Sequence, residues 1–230
     1  MSPMLEFARG PLFVFCFAVM CLGLVRNGLL ALFDMIRAVR RAGDRDVPYG
    51  QLVRETLIGL LPFRADVLFS MFSFLFHIGL VIVPIFLLDH ILLWRSGVGI
   101  AWPALPRIAA NILTLVTLGT GLVLLGYRIF SPHMRFVSGT MDYGLLVLIL
   151  VLFATGFIAS RPFSPMPYDS AMLIHVLCGD AILFLIPFTK LSHCVLYPLL
   201  RVSSNVAWRF PSHAGEEITK TLYGKEVRKV

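Results

Sequence analysis

The sequence predicts an all-α integral membrane protein, a five-transmembrane-helix bundle with its N-terminus outside and its C-terminus in the cytoplasm. Three observations carry that expectation. Of 230 residues, 58% are hydrophobic and only 14% charged, where a soluble domain has roughly 45–50% apolar residues. The apolar residues gather in five continuous runs, each near the ~20 residues that a helix needs to cross hydrocarbon. A membrane β-barrel would instead show short alternating segments. The third observation is an uneven spread of Lys and Arg around those runs, which sets orientation.

The first run spans 11–35 and follows MSPMLEFARG. It is far longer than a signal-peptide core of about 7–15 residues, and it leads into arginines rather than a small-residue cleavage site. It reads as a retained first helix. A basic loop follows, in which PYGQLVRETLIGLLPFR places Val53, Leu57, Leu60 and Leu61 at helical spacing. That stretch predicts a short helix on the membrane surface, packed on the bundle or docking a cytoplasmic partner. The remaining runs are 67–94, 106–129, 141–160 and 170–197, so that residues 1–200 form the membrane domain. The polar segment 201–230 is a cytoplasmic tail, too short to fold alone.

Orientation follows from counting. Arg37, Arg40, Arg41, Arg45, Arg54, Arg64, Arg128, Arg135, Arg201, Arg209, Lys220, Lys225, Arg228 and Lys229 fall on one side of the alternating spans. Only Arg9, Arg95, Arg107 and Arg161 fall on the other. The basic side is cytoplasmic. The net charge of +7 is therefore a topology signal, and nucleic acid is not an expected partner. Tyr127, Arg128 and Arg135 read as an interfacial belt. Cys16, Cys21, Cys178 and Cys194 form neither a CxxC pair nor a CxxCH haem-attachment motif, and they read as small apolar side chains.

Ionisable groups inside the runs need a reason, because charge is expensive in hydrocarbon. The last run, LIHVLCGDAILFLIPFTKLSH, carries His175, Asp180, Lys190 and His193. His193 lies eighteen residues past His175, which on a continuous helix is about five whole turns, one face and a separation of about 27 Å. Two stacked sites can use both, provided another helix supplies a partner at each level. The second run supplies His77 opposite His193 and His90 opposite His175. Neutral imidazole is a good axial ligand for haem iron, and facing helices are how bundles hold cofactors. His133 and His213 fall in cytoplasmic segments. On a straight helix His90 would point about 220° away from His77, and Pro84 between them offers a kink to correct the phase. Gly79 and Gly179 are placed to let a flat macrocycle approach the backbone.

Four charged residues accompany these histidines. Lys190, one helical turn before His193, and Arg26, deep in the first run, are expected propionate or quinone-head partners, Lys190 having the alternative of snorkelling to the surface. Asp180 is a proton relay or a structural partner of Arg26. Asp89 beside His90 is a second-shell acceptor for the imidazole or an interfacial charge.

FHIG at 76–79 and IPFTKLSH at 186–193, with a histidine eighteen residues before the last, resemble the gamma (cytochrome b) subunit of respiratory nitrate reductase. GLVRNG at 23–28 and MDYGLLVL at 141–148 are similar to the family's first and fourth helices. The resemblance implies two b haems with bis-histidine ligation: an inner one on His77 and His193, and an outer one using His175. It also implies a menaquinone or ubiquinone substrate, a cytoplasmic iron–sulfur redox subunit as partner, and further membrane or periplasmic redox subunits. The location implied is a bacterial or archaeal cytoplasmic membrane. In the family the second histidine of span two lies ten residues beyond the first; here that position is Leu87, and His90 stands about one turn further out. The short chain looks more like the branch found in membrane redox complexes of sulfate-reducing anaerobes, including the high-molecular-weight cytochrome complex and the complex associated with sulfite reduction. A small transporter or proton channel, and a haem-free structural anchor, are the competing expectations. Against a transporter stands the lack of visible repeats or interrupted helices in the sequence.

Overall fold

The computed structural model describes residues 2–42, 67–161 and 165–209, with positions 50, 54 and 220 standing alone. Among the described residues there is no strand. Five helices are long and apolar enough to cross a membrane: Pro3–Arg37, Val67–Phe86, Arg107–Phe130, Thr140–Ala159 and Tyr168–Phe188. The expected surface helix around Val53–Leu61 and most of the tail beyond Arg209 lie outside the described residues. The chain divides into two compact units, Met1–Phe17 with Pro62–Phe184 and Ala18–Leu61 with Leu185–Val230.

The first unit opens with α1 (Pro3–Phe7), whose N-cap Ser2 accepts from the Leu5 amide through Oγ. A π-helical turn, Ala8–Leu12, leads into α2 (Phe13–Ala42). Pro11 sits inside that turn and has no N–H to donate, so the wider turn costs little there. The first helical stretch is thus longer at both ends than the apolar run suggests, because propensity carries it past the greasy core.

The core of this unit is built by α3 (Val67–Phe86), α5 (Arg107–Phe130) and α7 (Thr140–Ala159), with α5 packed against the other two. Small residues set the approach, as expected where lipid removes most of the hydrophobic drive between helices. A Cβ added at Gly79 would land on Thr117 Oγ1, and one at Gly121 would lie 2.9 Å from the Phe76 ring. The buried hydroxyls of Thr114, Thr117 and Thr120 are each satisfied by the carbonyl four residues back. Among the residues expected to form an interfacial belt, Tyr127 meets Phe69 edge-on, and Arg128 donates to Ser138 Oγ at 2.8 Å.

The second apolar run is not one kinked helix. It breaks at Leu87, which is extended (φ −71°, ψ 128°), and resumes as α4 (Leu88–Val98). Three outside donors explain the break by taking carbonyls that the next helical turn would have used. His90 Nδ1 donates to Pro84 O at 2.9 Å, the Trp102 indole to Ile85 O at 2.9 Å, and the Leu105 amide to Phe86 O at 2.9 Å. Leu87 O then accepts the first amides of α4, from His90 and Ile91. Every carbonyl from Pro84 to Leu87 therefore has a partner, the condition for irregular backbone at membrane depth. The chain can turn back to deliver Trp102 and Leu105 because Gly99 ends α4 in the left-handed region (φ 74°), where a side chain would be strained. Short α6 (Pro132–Val137) links α5 to α7, and α8 (Tyr168–Leu185) completes the unit.

The second unit holds the rest of α2 and the end of the fifth run. The continuous helix expected over 170–197 is not formed. After α8 come single 3-10 turns at Ile186–Phe188 and Lys190–Ser192, separated by extended Thr189 (φ −126°, ψ 179°), and then α9 (His193–Arg209). Pro187 has no N–H for the ladder, and Thr189 competes with it by donating to Leu185 O at 2.8 Å and accepting from Leu191 N at 3.3 Å. The stranded Pro187 carbonyl is met by Asn27 Nδ2 at 2.7 Å. Gly23 makes that approach feasible, since a Cβ there would strike the Pro187 ring, and Gly28 faces Leu196. GLVRNG is a clasp on the broken segment.

Gly79→Val should lower the unfolding midpoint of the detergent-solubilised protein, at a cost of about 1–3 kcal/mol for overpacking against Thr117. Gly144→Ala, where nothing lies within 4 Å of the new Cβ, should leave it unchanged or raise it slightly. Circular dichroism on heating compares the two, and equal midpoints would refute the close α3–α5 contact.

Candidate functional site

His90 and His175 are brought together within the first unit. Their ring centroids are 6.1 Å apart and their planes differ by 15°. The break at Leu87 removes the phase problem posed by a straight helix, because the thirteen residues from His77 to His90 no longer follow one spiral. His90 is the third residue past the break and is fixed by its bond to Pro84 O. His175, on α8, is fixed by donation from Nδ1 to Leu152 O at 2.9 Å. Its ring lies against α7, where a Cβ on Gly156 would come within 2.7 Å of Cε1. Both rings are half-buried. Trp94 flanks the region, edge-on to Phe17 at 5.4 Å and tilted against Trp102 at 6.4 Å.

The tautomers follow from these partners. A backbone carbonyl can only accept, so Nδ1 carries a proton in both rings, and in the neutral form of such a ring Nε2 is the nitrogen left with a lone pair. The same bond is made by His77, from Nδ1 to Ser73 O at 2.7 Å, and by His193, from Nδ1 to Lys190 O. Four histidines in four local settings share one arrangement. His77 belongs to the first unit and His193 to the second; both are exposed. His133 is exposed on α6, and His213 lies outside the described residues.

The four charged residues lie in different settings. Asp89 is exposed, and the acceptor for His90 Nδ1 is the Pro84 carbonyl, so Asp89 does not orient this imidazole from that side. Asp180 is 3% exposed and its Oδ2 has no hydrogen-bond partner among the described residues; it belongs to the first unit, and Arg26 to the second. Arg26 is exposed and donates from Nη1 to Asn27 Oδ1 at 3.2 Å, which ties it to the clasp. Lys190 is exposed in its 3-10 turn, where its carbonyl rather than its ammonium meets His193. The one-turn helical relation between the two does not hold, because the helix begins only at His193.

Gly79 does not leave room for a flat ligand, whereas Gly179 meets its neighbour only at ordinary van der Waals distance. Thr117 occupies the space over Gly79, and Leu152 stands 3.8 Å from where a Gly179 Cβ would be. The glycine beside a histidine is Gly156, which sequence reasoning passed over because it lies on a different helix from either ligand candidate. Trp102 and Asn27 were missed for a similar reason: each serves a carbonyl remote in sequence. All four cysteines are free; Cys16 is buried and Cys194 exposed. Among the described residues no group of three or more His, Cys, Asp or Glu could hold a metal ion. Two neutral imidazoles with Nε2 acceptors can do two things: ligate a metal or pass a proton.

No family model and no solved structure matches the chain. A protein of Nitratidesulfovibrio vulgaris (strain Hildenborough), described only as "Protein", is 36% identical over 155 residues, covering 65% of this chain and 67% of its own length. At that identity and coverage, this chain belongs to the same family as the Nitratidesulfovibrio protein.

Proposed function

We propose that this protein is the di-haem b membrane subunit of a respiratory oxidoreductase complex, carrying electrons across the bilayer between a quinone pool, or an outer-side donor, and a cytoplasmic iron–sulfur subunit. The observation that carries the reading is the pairing of His90 with His175, each with Nδ1 on a backbone carbonyl and with ring centroids 6.1 Å apart. Histidines that ligate metals almost always donate their other ring nitrogen to a carbonyl or carboxylate, which fixes the ring and leaves one nitrogen for the metal. Core histidines that merely bridge helices have no need to agree on a tautomer.

The His90 and His175 rings lie close and near-parallel, with centroids 6.1 Å apart and planes differing by 15°, so these two residues would hold one haem between α4 and α8. In this reading His90 and His175 hold the outer haem and His77 and His193 the inner one, each haem supplying reversible one-electron chemistry. The protein's part is to fix the four rings through their bonds to backbone carbonyls. Arg26 and Lys190 remain candidates for propionate or quinone contacts. The N-terminus is placed outside by the arginine count, and the basic loop and tail on the cytoplasmic side form the docking surface for the iron–sulfur partner. The narrower branch, found in complexes of sulfate-reducing anaerobes, is proposed on the resemblance of IPFTKLSH and the short chain alone.

A second reading has an observation in its favour. Two interrupted helices and a buried Asp180 without a partner on Oδ2 are features of ion pathways. The two interruptions are closed by different devices, a tryptophan strap and an asparagine clasp, which does not fit an internal repeat. Pigment separates the readings: purified protein without Soret absorbance would favour the proton channel or a haem-free anchor.

A reduced-minus-oxidised spectrum with haem quantitation should give two low-spin b haems per chain. His90→Ala and His175→Ala should each remove about half of the haem, with the same signal lost in both. Unchanged content in either variant would break the outer pair. Trp102→Phe, which keeps the ring and removes the N–H serving Ile85 O, should retain both haems but alter the electron paramagnetic resonance signal of the outer one only. An unaltered signal would mean that the strap does not position His90.

A further inference from the structure

At the ends of α5 and α7 lies an open cavity of about 640 Å³, lined by Arg107, Ile108, Asn111, Ala159, Ser160 and Arg161. All six residues belong to the first unit. None of the six is acidic, and two carry guanidinium groups. Both arginines are held. Arg107 donates from Nη2 to Ser160 O at 3.3 Å, and the Arg161 guanidinium lies 4.2 Å over the Phe157 ring. Stacking uses the face of a guanidinium and leaves its N–H edge to meet an oxyanion. Ser160 Oγ donates to Phe157 O at 2.7 Å, so its proton is already committed within the helix end. No hydrogen bond among the described residues engages the Asn111 amide. Ile108, 75% exposed, gives the rim an apolar side.

The depth of this cavity follows from its position. Arg107 is the first residue of one apolar helix and Ala159 the last of another. Where two membrane-spanning helices begin and end together, the hydrocarbon stops and the phosphate layer of the lipid begins. We propose that Arg107, Asn111 and Arg161 bind the phosphate of an anionic phospholipid headgroup, with the acyl chains running down the helices past Ile108. Basic pockets between membrane helices are built for this ligand chemistry. The inference rests on the membrane-spanning reading of α5 and α7, and does not depend on haem.

The test uses the full chain purified in detergent, with native mass spectrometry and thermal melting as readouts. Phosphatidylglycerol should bind and raise the melting temperature, while phosphatidylcholine at the same concentration should do so weakly. Arg107→Gln with Arg161→Gln should reduce phosphatidylglycerol affinity about 25-fold, from about fivefold per arginine near the membrane surface. Arg161→Lys keeps the charge and should retain most of the binding, which guards against a misfolded double variant. Equal affinity of wild type and double variant for phosphatidylglycerol would overturn the site. A shift reproduced by inorganic phosphate or glycerol phosphate alone would overturn the lipid as its source.

Discussion

A peptide group without a partner costs several kcal/mol in hydrocarbon, and the form of this protein follows from where that cost is met. Most of the chain meets it with unbroken helices. At two places it does not, and each departure is closed by side chains brought from elsewhere. Around Leu87 the donors are an imidazole, an indole and a returning amide. Around Thr189 they are a threonine hydroxyl and an asparagine from the first helix. Three of the four histidines of interest touch these places: His90 makes one of the closing bonds, His193 begins the helix after the other, and His175 faces His90. The irregular backbone is therefore the means by which imidazoles are aimed.

The sequence made the spans legible because hydropathy reads only composition over ~20 residues. Spans three and four agree with α5 and α7 to within a residue at each end. The ends of the others were misjudged where polar helix-formers extend a helix, as beyond Met35, or where outside donors stop one, as at Leu87. The pairing of His90 with His175 was legible by supply, since no other histidine was available at that depth. The helical phase used to relate His175 to His193 was not legible. It assumed one helix, and nothing local to IPFTKLSH reveals that Asn27, 160 residues away, stands ready to take the Pro187 carbonyl. Gly156 and Trp102 were invisible for the same reason: sequence spacing reports neighbours along a helix, not neighbours across helices.

Small residues have two separate uses here. Gly79 and Gly121 let helices close on one another and are filled by Thr117, Phe76 and Leu150. Gly156 instead makes room for the His175 ring. The distinction matters for reading such chains, since a glycine near a histidine in sequence was the one consumed by packing, whereas the glycine that cradles a histidine sits on the opposing helix.

The clasp between GLVRNG and Pro187 also bears on biogenesis. Membrane segments enter the bilayer in chain order, so the first helix waits while the four later ones are made. Until the fifth arrives, the Asn27 amide has no carbonyl to hold; until it meets the first helix, the Pro187 carbonyl faces lipid or finds a temporary water. A contact of such long sequence separation closes late, after most of the helices are already in place. A chain stalled or cut before its final span would leave the polar face of its first helix open to the membrane, a mark by which quality-control proteases can tell unfinished copies from finished ones.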